Sequence, residues 1–231
     1  MDGLFSRRAG TYEQENAWIL SPAFIEPLVP AVFGGGAMLD VGTGTGVVAE
    51  YAHSIGWTVS ALDANEEMLK NVSADISVVL GDAHHLPFPD RSFDLVTCRQ
   101  SIQYLDFGSA IGEMLRVSRG QVRLLHAFIS REDIALWQHL FALAQGPNRR
   151  FFSYDMLNEV IDRFPHGGMD YSFQKSRERF LKPGHACAAI DSFLLDHPDF
   201  VDRYRVENLE DRFYYDLKWV LQVICVPSVD I

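Results

Sequence analysis

The sequence of 231 residues is poor in cysteine and has no long apolar run. Its three cysteines, Cys98, Cys187 and Cys225, lie far apart and form no C-x-x-C pair, which argues against a zinc site or a redox dithiol. No stretch approaches the roughly 18 apolar residues of a membrane span, and the N-terminus lacks the apolar core of a secretion signal. These absences predict an intracellular, cytoplasmic protein with no bound metal and no membrane span.

An excess of positive charge is also missing. Lysine and arginine number 20 against 31 aspartate and glutamate residues, which gives a formal net charge of −11. Such a chain repels polyanions, so nucleic acid is not expected as a partner. The length fits one domain of ordinary size, in which roughly 70% of the unfolded surface is buried. We therefore predict a single domain over residues 1–231.

Three glycines at alternate positions follow a short apolar run that ends in Asp40. Gly42, Gly44 and Gly46 permit a positive φ and let a ligand lie against the main chain. The third glycine of a dinucleotide-binding G-x-G-x-x-G turn is replaced by Val47, and no lysine follows as it does in a phosphate-binding loop. The segment predicts a strand, a tight turn and a helix start around a ligand that is not a pyrophosphate. A nicotinamide-dependent oxidoreductase on a similar sheet stays as an alternative.

Apolar periodicity along the chain alternates between strands and helices. This order predicts a mostly parallel sheet with helices on both faces, whose ligand lies beyond the carboxyl ends of the strands. Predicted strands cover residues 37–41, 58–62, 76–80, 93–97, 121–129, 174–181 and 214–226. Predicted helices cover residues 46–54, 65–72, 110–117, 131–144, 154–164 and 186–195, with Asn65 as the N-cap of the second.

Four ordered segments between residues 37 and 128 carry a family resemblance. Residues 39–46 resemble motif I of the class I S-adenosylmethionine (SAM) dependent methyltransferases, and residues 59–63 resemble the strand that ends in the acid of the ribose site. Residues 81–88 are similar to the segment that flanks the adenine, and residues 89–96 to the F-P-D-x-S-F-D-x-V run before the fourth strand. The resemblance implies a Rossmann-like fold with a mostly parallel seven-stranded sheet. It also implies SAM as cofactor, and it extends to enzymes of ubiquinone, menaquinone and natural-product biosynthesis.

The same resemblance implies which residues hold the cofactor. Asp40 is expected near the methionyl ammonium, and Asp63 is expected to accept hydrogen bonds from both ribose hydroxyls. A turn-stabilising Asp40 and a solvated Asp63 at a strand end are the alternatives. The other residues implied at the methionine, ribose or adenine are Tyr12, Gly42, Gly44, Ala64, Met68, Asp82, Ala83 and Arg99.

Methyl transfer from a sulfonium needs few catalytic side chains, because alignment and the exclusion of water supply much of the rate. Gln103 and Tyr104 follow the fourth strand and are candidates to face the methyl acceptor. A general base would help a hydroxyl or ring-nitrogen acceptor, and His126, near the end of the fifth strand, is the first candidate. A purely structural His126 is the alternative. Further histidine candidates are His84, His85 and His139.

Helical segments outside the core are expected to form an N-terminal cap at 1–30 and a lid over the acceptor at 130–150 and 184–212. Packed helices without substrate contact are the alternative. The apolar content of the inserts fits a small apolar or aromatic acceptor, with O-methylation favoured over N- or C-methylation. A SAM-binding protein that transfers no methyl group and a protein methyltransferase stay open. The inserted apolar residues are Trp137, Phe141, Phe151, Phe152, Phe193 and Leu194.

The turn before the fifth predicted strand departs from the family pattern. The family commonly has leucine, arginine, proline and two glycines there, whereas this chain reads Val117-Ser118-Arg119-Gly120-Gln121. The proline is missing and one glycine remains. Because this turn lies at the amino end of the strand, the departure concerns loop geometry rather than the ligand site.

Overall fold

The computed structural model describes residues 20–31, 35–145 and 152–227, together with Gly10. The chain forms two compact units. The first contains Met1–His126, Glu159–Ser172 and Leu221–Ile231, and the second contains Ala127–Asn158 and Phe173–Val220. Both predicted inserts fall in the second unit. Their proposed role as a lid, and that of residues 1–30 as a cap, stay predictions.

The strands form a mostly parallel sheet, as predicted. They are β1 (Gly36–Val41), β2 (Trp57–Asp63), β3 (Ser77–Leu80), β4 (Phe93–Arg99), β5 (Ser118–Phe128), β6 (Gly168–Leu181), β7 (Glu207–Asn208) and β8 (Arg212–Cys225). Strand β1 lies between β2 and β4, with β3 beyond β2 and β5 beyond β4, and these four pairings are all parallel. The strand order continues from β5 through β8 to β6, and the two-residue strand β7 pairs antiparallel with β8.

Local sequence signals account for most helix boundaries. The predicted N-cap Asn65 accepts hydrogen bonds from the backbone N–H groups of Glu67 and Met68. That helix ends earlier than predicted, and the side-chain amide of Asn71 donates to the carbonyls of Glu67 and Met68 at its end. The helices are α1 (Val47–Ser54), α2 (Glu66–Leu69), α3 (Phe107–Val117), α4 (Ile134–Gln145), α5 (Tyr154–Ile161), α6 (Cys187–Asp196) and α7 (Pro198–Arg203).

The unusual turn before β5 has a steric explanation. Strand β5 begins at Ser118, directly after α3 ends at Val117. A Cβ atom on Gly120 would lie only 2.2 Å from the backbone oxygen of Asp94, at the point where the register of β4 and β5 shifts. Close approach of two backbones therefore requires the one glycine that this turn retains.

Aromatic side chains of the inserts pack against one another inside the second unit. The Trp137 ring centroid lies 5.0 Å from that of Phe200 and 4.8 Å from that of Tyr204. Phe152, Phe193 and Leu194 are also buried. Because burial in this core accounts for these side chains, their aromatic character is no longer a separate argument for an aromatic acceptor. Phe151 lies outside the described residues.

Candidate functional site

A cavity of about 590 Å³ lies at the carboxyl ends of strands β1 to β4 in the first unit. Its volume is within the roughly 300–1,000 Å³ typical of small-molecule sites. The strand order reverses between β1 and β4, which is where sheets of this kind bind ligands. The predicted site residues in its lining are Asp40, Gly42, Gly44, Asp63, Ala64, Met68, Asp82, Ala83, Arg99 and Tyr104.

The three glycines of the first loop all have positive φ, but for different reasons. A Cβ on Gly42 would lie 2.3 Å from Ser101 Oγ, and a Cβ on Gly46 would lie 2.9 Å from a methyl carbon of Val72. A Cβ on Gly44 would meet no atom within 4 Å. Gly42 and Gly46 are thus required by packing, whereas Gly44 leaves a stretch of bare backbone beside the cavity.

Asp63 ends β2 with both carboxylate oxygens held by backbone donors. Its Oδ2 accepts from the Gly44 N–H at 2.9 Å, and its Oδ1 accepts from the Asn65 N–H at 2.9 Å. Each oxygen keeps a further lone pair for a ligand hydroxyl. Burial raises the pKa of this carboxyl above its ordinary value, against the effect of the Gly44 hydrogen bond.

Asp40 is a second, more deeply buried carboxylate. It is 2% exposed, and its two oxygens accept hydrogen bonds of 2.7 Å from the hydroxyls of Thr43 and Thr97. Burial raises the pKa of Asp40, while these two hydroxyls and the positive charge of Arg99 oppose that rise. Asp40 therefore both stabilises the turn through Thr43 and contributes an acidic group to the cavity.

The part of the cavity lining formed by α2 and the loop after β3 is more apolar than the part around Asp40 and Asp63. Met68 is buried, Ala64 is exposed and Ala83 is buried, and all three line the cavity. Asp82 beside them carries a side chain that is 59% exposed. The combination of apolar groups with one carboxylate fits a planar heteroaromatic ring that has a hydrogen-bond donor.

The proposed catalytic residues are not brought together. Tyr104 lines the cavity, whereas Gln103 and His126 are absent from its lining. The Gln103 amide donates to the Gln100 carbonyl at 2.7 Å, and a ring nitrogen of the fully buried His126 lies 2.6 Å from Gln222 Oε1. Their catalytic assignments stay predictions without support from this geometry, and Tyr12 lies outside the described residues.

The remaining histidine candidates differ in position. His84 lines the cavity, but His85 does not and its side chain is 86% exposed. His139 lies in the second unit, with its ring 5.3 Å from that of Phe193. Only His84 is therefore placed at the site.

Much of the F-P-D-x-S-F-D-x-V motif, which runs into the start of β4, serves the fold. Asp94 makes two hydrogen bonds to the Arg119 guanidinium, at 2.7 and 2.8 Å, and accepts from the Ala37 N–H at 2.9 Å. Arg116 donates to the carbonyls of Leu86 and Phe88. The motif thus anchors the loop that leads from the cavity to β4.

Several lining residues were not predicted from the sequence as cofactor contacts. They come from the glycine loop, the ends of β2 and β3, and the segment after β4. The sequence offers a recognisable signal for Asn65, as an N-cap, but none for Ser101, whose hydroxyl donates to the Gly42 carbonyl at 2.9 Å. These lining residues are Thr43, Thr45, Val48, Leu62, Asn65, Leu80, Gly81, His84, Gln100, Ser101 and Leu105.

Within the described ranges, no cluster of three or more histidine, cysteine, aspartate or glutamate side chains is arranged to hold a metal ion. Likewise, none of the helices in the described part of the chain combines the length and apolarity needed to cross a membrane.

Comparison with known proteins agrees with this geometry. Residues 39–125 match the family of methyltransferase domains. A demethylmenaquinone methyltransferase of Paenarthrobacter aurescens is 36% identical over 111 residues, 46% of this chain and 44% of that protein. A phosphoethanolamine N-methyltransferase of Haemonchus contortus, solved with S-adenosylhomocysteine, has the same fold with a TM-score of 0.61 and 16% identity, over 96% of this chain and 58% of that one.

Residues 39–125 carry a methyltransferase domain. The solved structures share the predicted Rossmann-like fold, which is thereby confirmed. The cavity fits SAM, because bare backbone at Gly44 leaves room for the ligand and two carboxylates can receive its ammonium and hydroxyl groups.

The methyltransferase domain also matches a malonyl-[acyl-carrier protein] O-methyltransferase of Pectobacterium atrosepticum. The two are 27% identical over 197 residues, 83% of this chain and 73% of that protein. By contrast, the chain spans less than half the length of the demethylmenaquinone relative. The likeness to the O-methyltransferase therefore covers more of the chain than the likeness to the demethylmenaquinone relative does.

Proposed function

We propose that the chain transfers a methyl group from SAM to an oxygen atom of a small-molecule acceptor. The observation that carries the proposal is one cavity that combines the buried Asp40 carboxylate, the half-buried Asp63 carboxylate and the bare backbone at Gly44. The preference for oxygen is supported by the longer match to an O-methyltransferase. The alternative preferences for carbon and nitrogen become outcomes of the test.

The binding roles follow from the donor and acceptor chemistry of the lining. Asp40 would receive the ammonium of the methionine portion, since a buried carboxylate whose hydrogen bonds come from the neutral hydroxyls of Thr43 and Thr97 favours a cationic partner. Asp63 would accept from the ribose hydroxyls with the lone pairs that Gly44 and Asn65 leave available. Asp82 and Ala83 would contact the adenine.

When bound, SAM supplies an electrophilic methyl group on a positively charged sulfur. The protein would align the reacting atoms and exclude water from them, and it would form no covalent bond to the substrate. Asp40 and Asp63 would orient the methionine and ribose ends, and Tyr104 lies in the lining of the same cavity. A base that accepts the acceptor's proton is not assigned, because His126 is already bonded to Gln222 in the core.

The decisive experiment has two stages. Calorimetric titration with SAM, S-adenosylhomocysteine and NAD tests the cofactor, and we expect the first two to bind and NAD to give no heat. Incubation with methyl-labelled SAM then tests acceptors in four groups: phenols, hydroquinones, carboxylic acids and amines. Label in a methyl ether or methyl ester supports the proposal.

Other outcomes select other functions. Binding of SAM without turnover of any small acceptor, or label only in an added basic protein, would contradict small-molecule transfer. Label on carbon or nitrogen would contradict the preference for oxygen but keep the methyltransferase. NAD binding without SAM binding would contradict the whole proposal. The Asp63→Ala protein serves as the control for background transfer.

A further inference from the structure

His84 makes two hydrogen bonds that join separate parts of the cavity lining. Its ring Nδ1 lies 2.5 Å from Asp82 Oδ1, and its Nε2 lies 2.9 Å from the backbone nitrogen of Asp106. Asp82 follows β3, whereas Asp106 is the N-cap of α3 and ends the segment that follows β4. One imidazole thus spans two segments that are distant in the sequence.

These contacts determine the protonation of the ring. A backbone N–H can only donate, so Nε2 must accept from Asp106 and carry no proton. The remaining nitrogen, Nδ1, then carries the proton and donates it to Asp82. His84 is therefore neutral and in a single tautomer when both bonds are made.

The carboxylate of Asp82 is oriented by the same residue. Oδ1 accepts from both the backbone N–H of His84, at 2.9 Å, and its ring. These hydrogen bonds, the backbone one first, hold the pKa of Asp82 below its ordinary value. Both of these donors meet Oδ1. Oδ2 lies 4.0 Å from Nδ1 of the exposed His85 ring, which is beyond hydrogen-bond distance, so Oδ2 can accept from a ligand.

The other end of the bridge controls the segment before α3. Ser101, Tyr104 and Leu105 in this segment line the cavity. Ser101 ties its beginning to the Gly42 carbonyl, and His84 ties its end at the Asp106 N–H. Loss of the imidazole would free the second attachment while leaving the first.

We propose that His84 is a positioning residue for the cofactor's adenine, which fixes the Asp82 carboxylate and attaches the segment before α3 to the loop after β3. The inference rests on the proposed function, since the adenine concerned is that of SAM. It assigns to His84 a role distinct from that of a general base, because both ring nitrogens are already engaged within the protein.

The test compares two ligands that differ at one group. S-adenosylhomocysteine has an exocyclic amine on its base, and S-inosylhomocysteine has a carbonyl oxygen there. The wild type should prefer the first, since a carboxylate accepts from an amine and repels a carbonyl oxygen. His84→Leu should weaken binding of the first by about tenfold and reduce the preference, because an oriented, charge-assisted hydrogen bond is lost.

His84→Gln tests rescue, because its amide offers one donor and one acceptor like the neutral ring. It should retain affinity within about threefold of the wild type and keep the preference between ligands. The control is His53→Leu, which removes an exposed histidine at the end of α1 and should change neither. The positioning role would be overturned if His84→Leu and His84→Gln lost the same affinity for S-adenosylhomocysteine, or if His84→Leu kept the full affinity of the wild type.

A measurement on the wild type guards against misfolded variants. Nitrogen-15 NMR of the histidine rings should show His84 as the Nδ1–H tautomer, and the Nε2–H tautomer would overturn the inference. This result does not depend on ligand. A wild type that binds neither S-adenosylhomocysteine nor SAM would instead contradict the proposed function, so the two failures are distinguishable.

Discussion

Removal of the Asp63 carboxylate should abolish tight SAM binding while leaving the fold in place. In Asp63→Ala the two backbone donors, Gly44 N–H and Asn65 N–H, lose acceptors that lie 2.9 Å away. The ligand loses the acceptor proposed for its ribose hydroxyls. Both effects act at the carboxyl end of β2 and leave the pairing of β2 with its neighbouring strands unchanged.

The magnitude follows from the type of bond. A hydrogen bond to a charged group contributes about 1.5–3 kcal/mol, and every 1.4 kcal/mol is tenfold in affinity. Loss of one such bond to the ribose therefore predicts affinity lower by about 10- to 150-fold. Calorimetric titration with S-adenosylhomocysteine measures this change without turnover.

Two variants separate this explanation from its rivals. Asp63→Asn keeps one carbonyl oxygen and should lose less affinity than Asp63→Ala. Asp75→Ala removes an exposed carboxylate of the first unit that does not line the cavity, and should bind like the wild type. Unchanged affinity in a folded Asp63→Ala protein, checked by circular dichroism and thermal melting, would remove Asp63 from the site.

The other predictions concern the glycine loop and a buried acid. Both Gly42→Ala and Gly44→Ala place an alanine in the left-handed region, which costs roughly 1–2 kcal/mol each. Gly42→Ala should lower the melting temperature more, because only its added methyl group meets the Ser101 side chain. Gly44→Ala should instead weaken S-adenosylhomocysteine binding at least about tenfold, and a reversed pattern in melts and titrations would contradict this division. Burial raises the pKa of Glu178, so stability present below the ordinary pKa is lost as pH rises through the raised one. At pH 7 the Glu178→Gln protein should therefore melt at a higher temperature than the wild type, by about 2–4 °C for each ~1 kcal/mol of unfolding free energy regained. Near pH 4 the two proteins should melt at the same temperature. An equal melting temperature of variant and wild type at both pH values would contradict the prediction.

Local elements were predictable because their signals lie within a few residues. Asn65 is followed by a helix, and its side chain accepts hydrogen bonds from backbone N–H groups in the first turn of that helix. Alternate glycines after an apolar run mark the loop at the end of β1. Boundaries that depend on distant partners were missed. The start of β5 at Ser118 depends on close contact of Gly120 with Asp94. The start of α3 at Phe107 was missed for another reason, because the local N-cap signal of Asp106 was overlooked.

The candidate site divides in the same way. The sequence by itself determined the parallel α/β fold and predicted that Asp40, Asp63 and Asp82 lie together, because parallel strands place their carboxyl ends on the same side of the sheet. All three line the cavity. Only the tertiary structure decided that His126 is hydrogen-bonded to Gln222 and that Ser101 leaves no room for a side chain at position 42. It also decided that His84 joins two loops by hydrogen bonds. Such contacts join residues far apart in the chain, and strand or helix periodicity reports a face but never the partner packed against it.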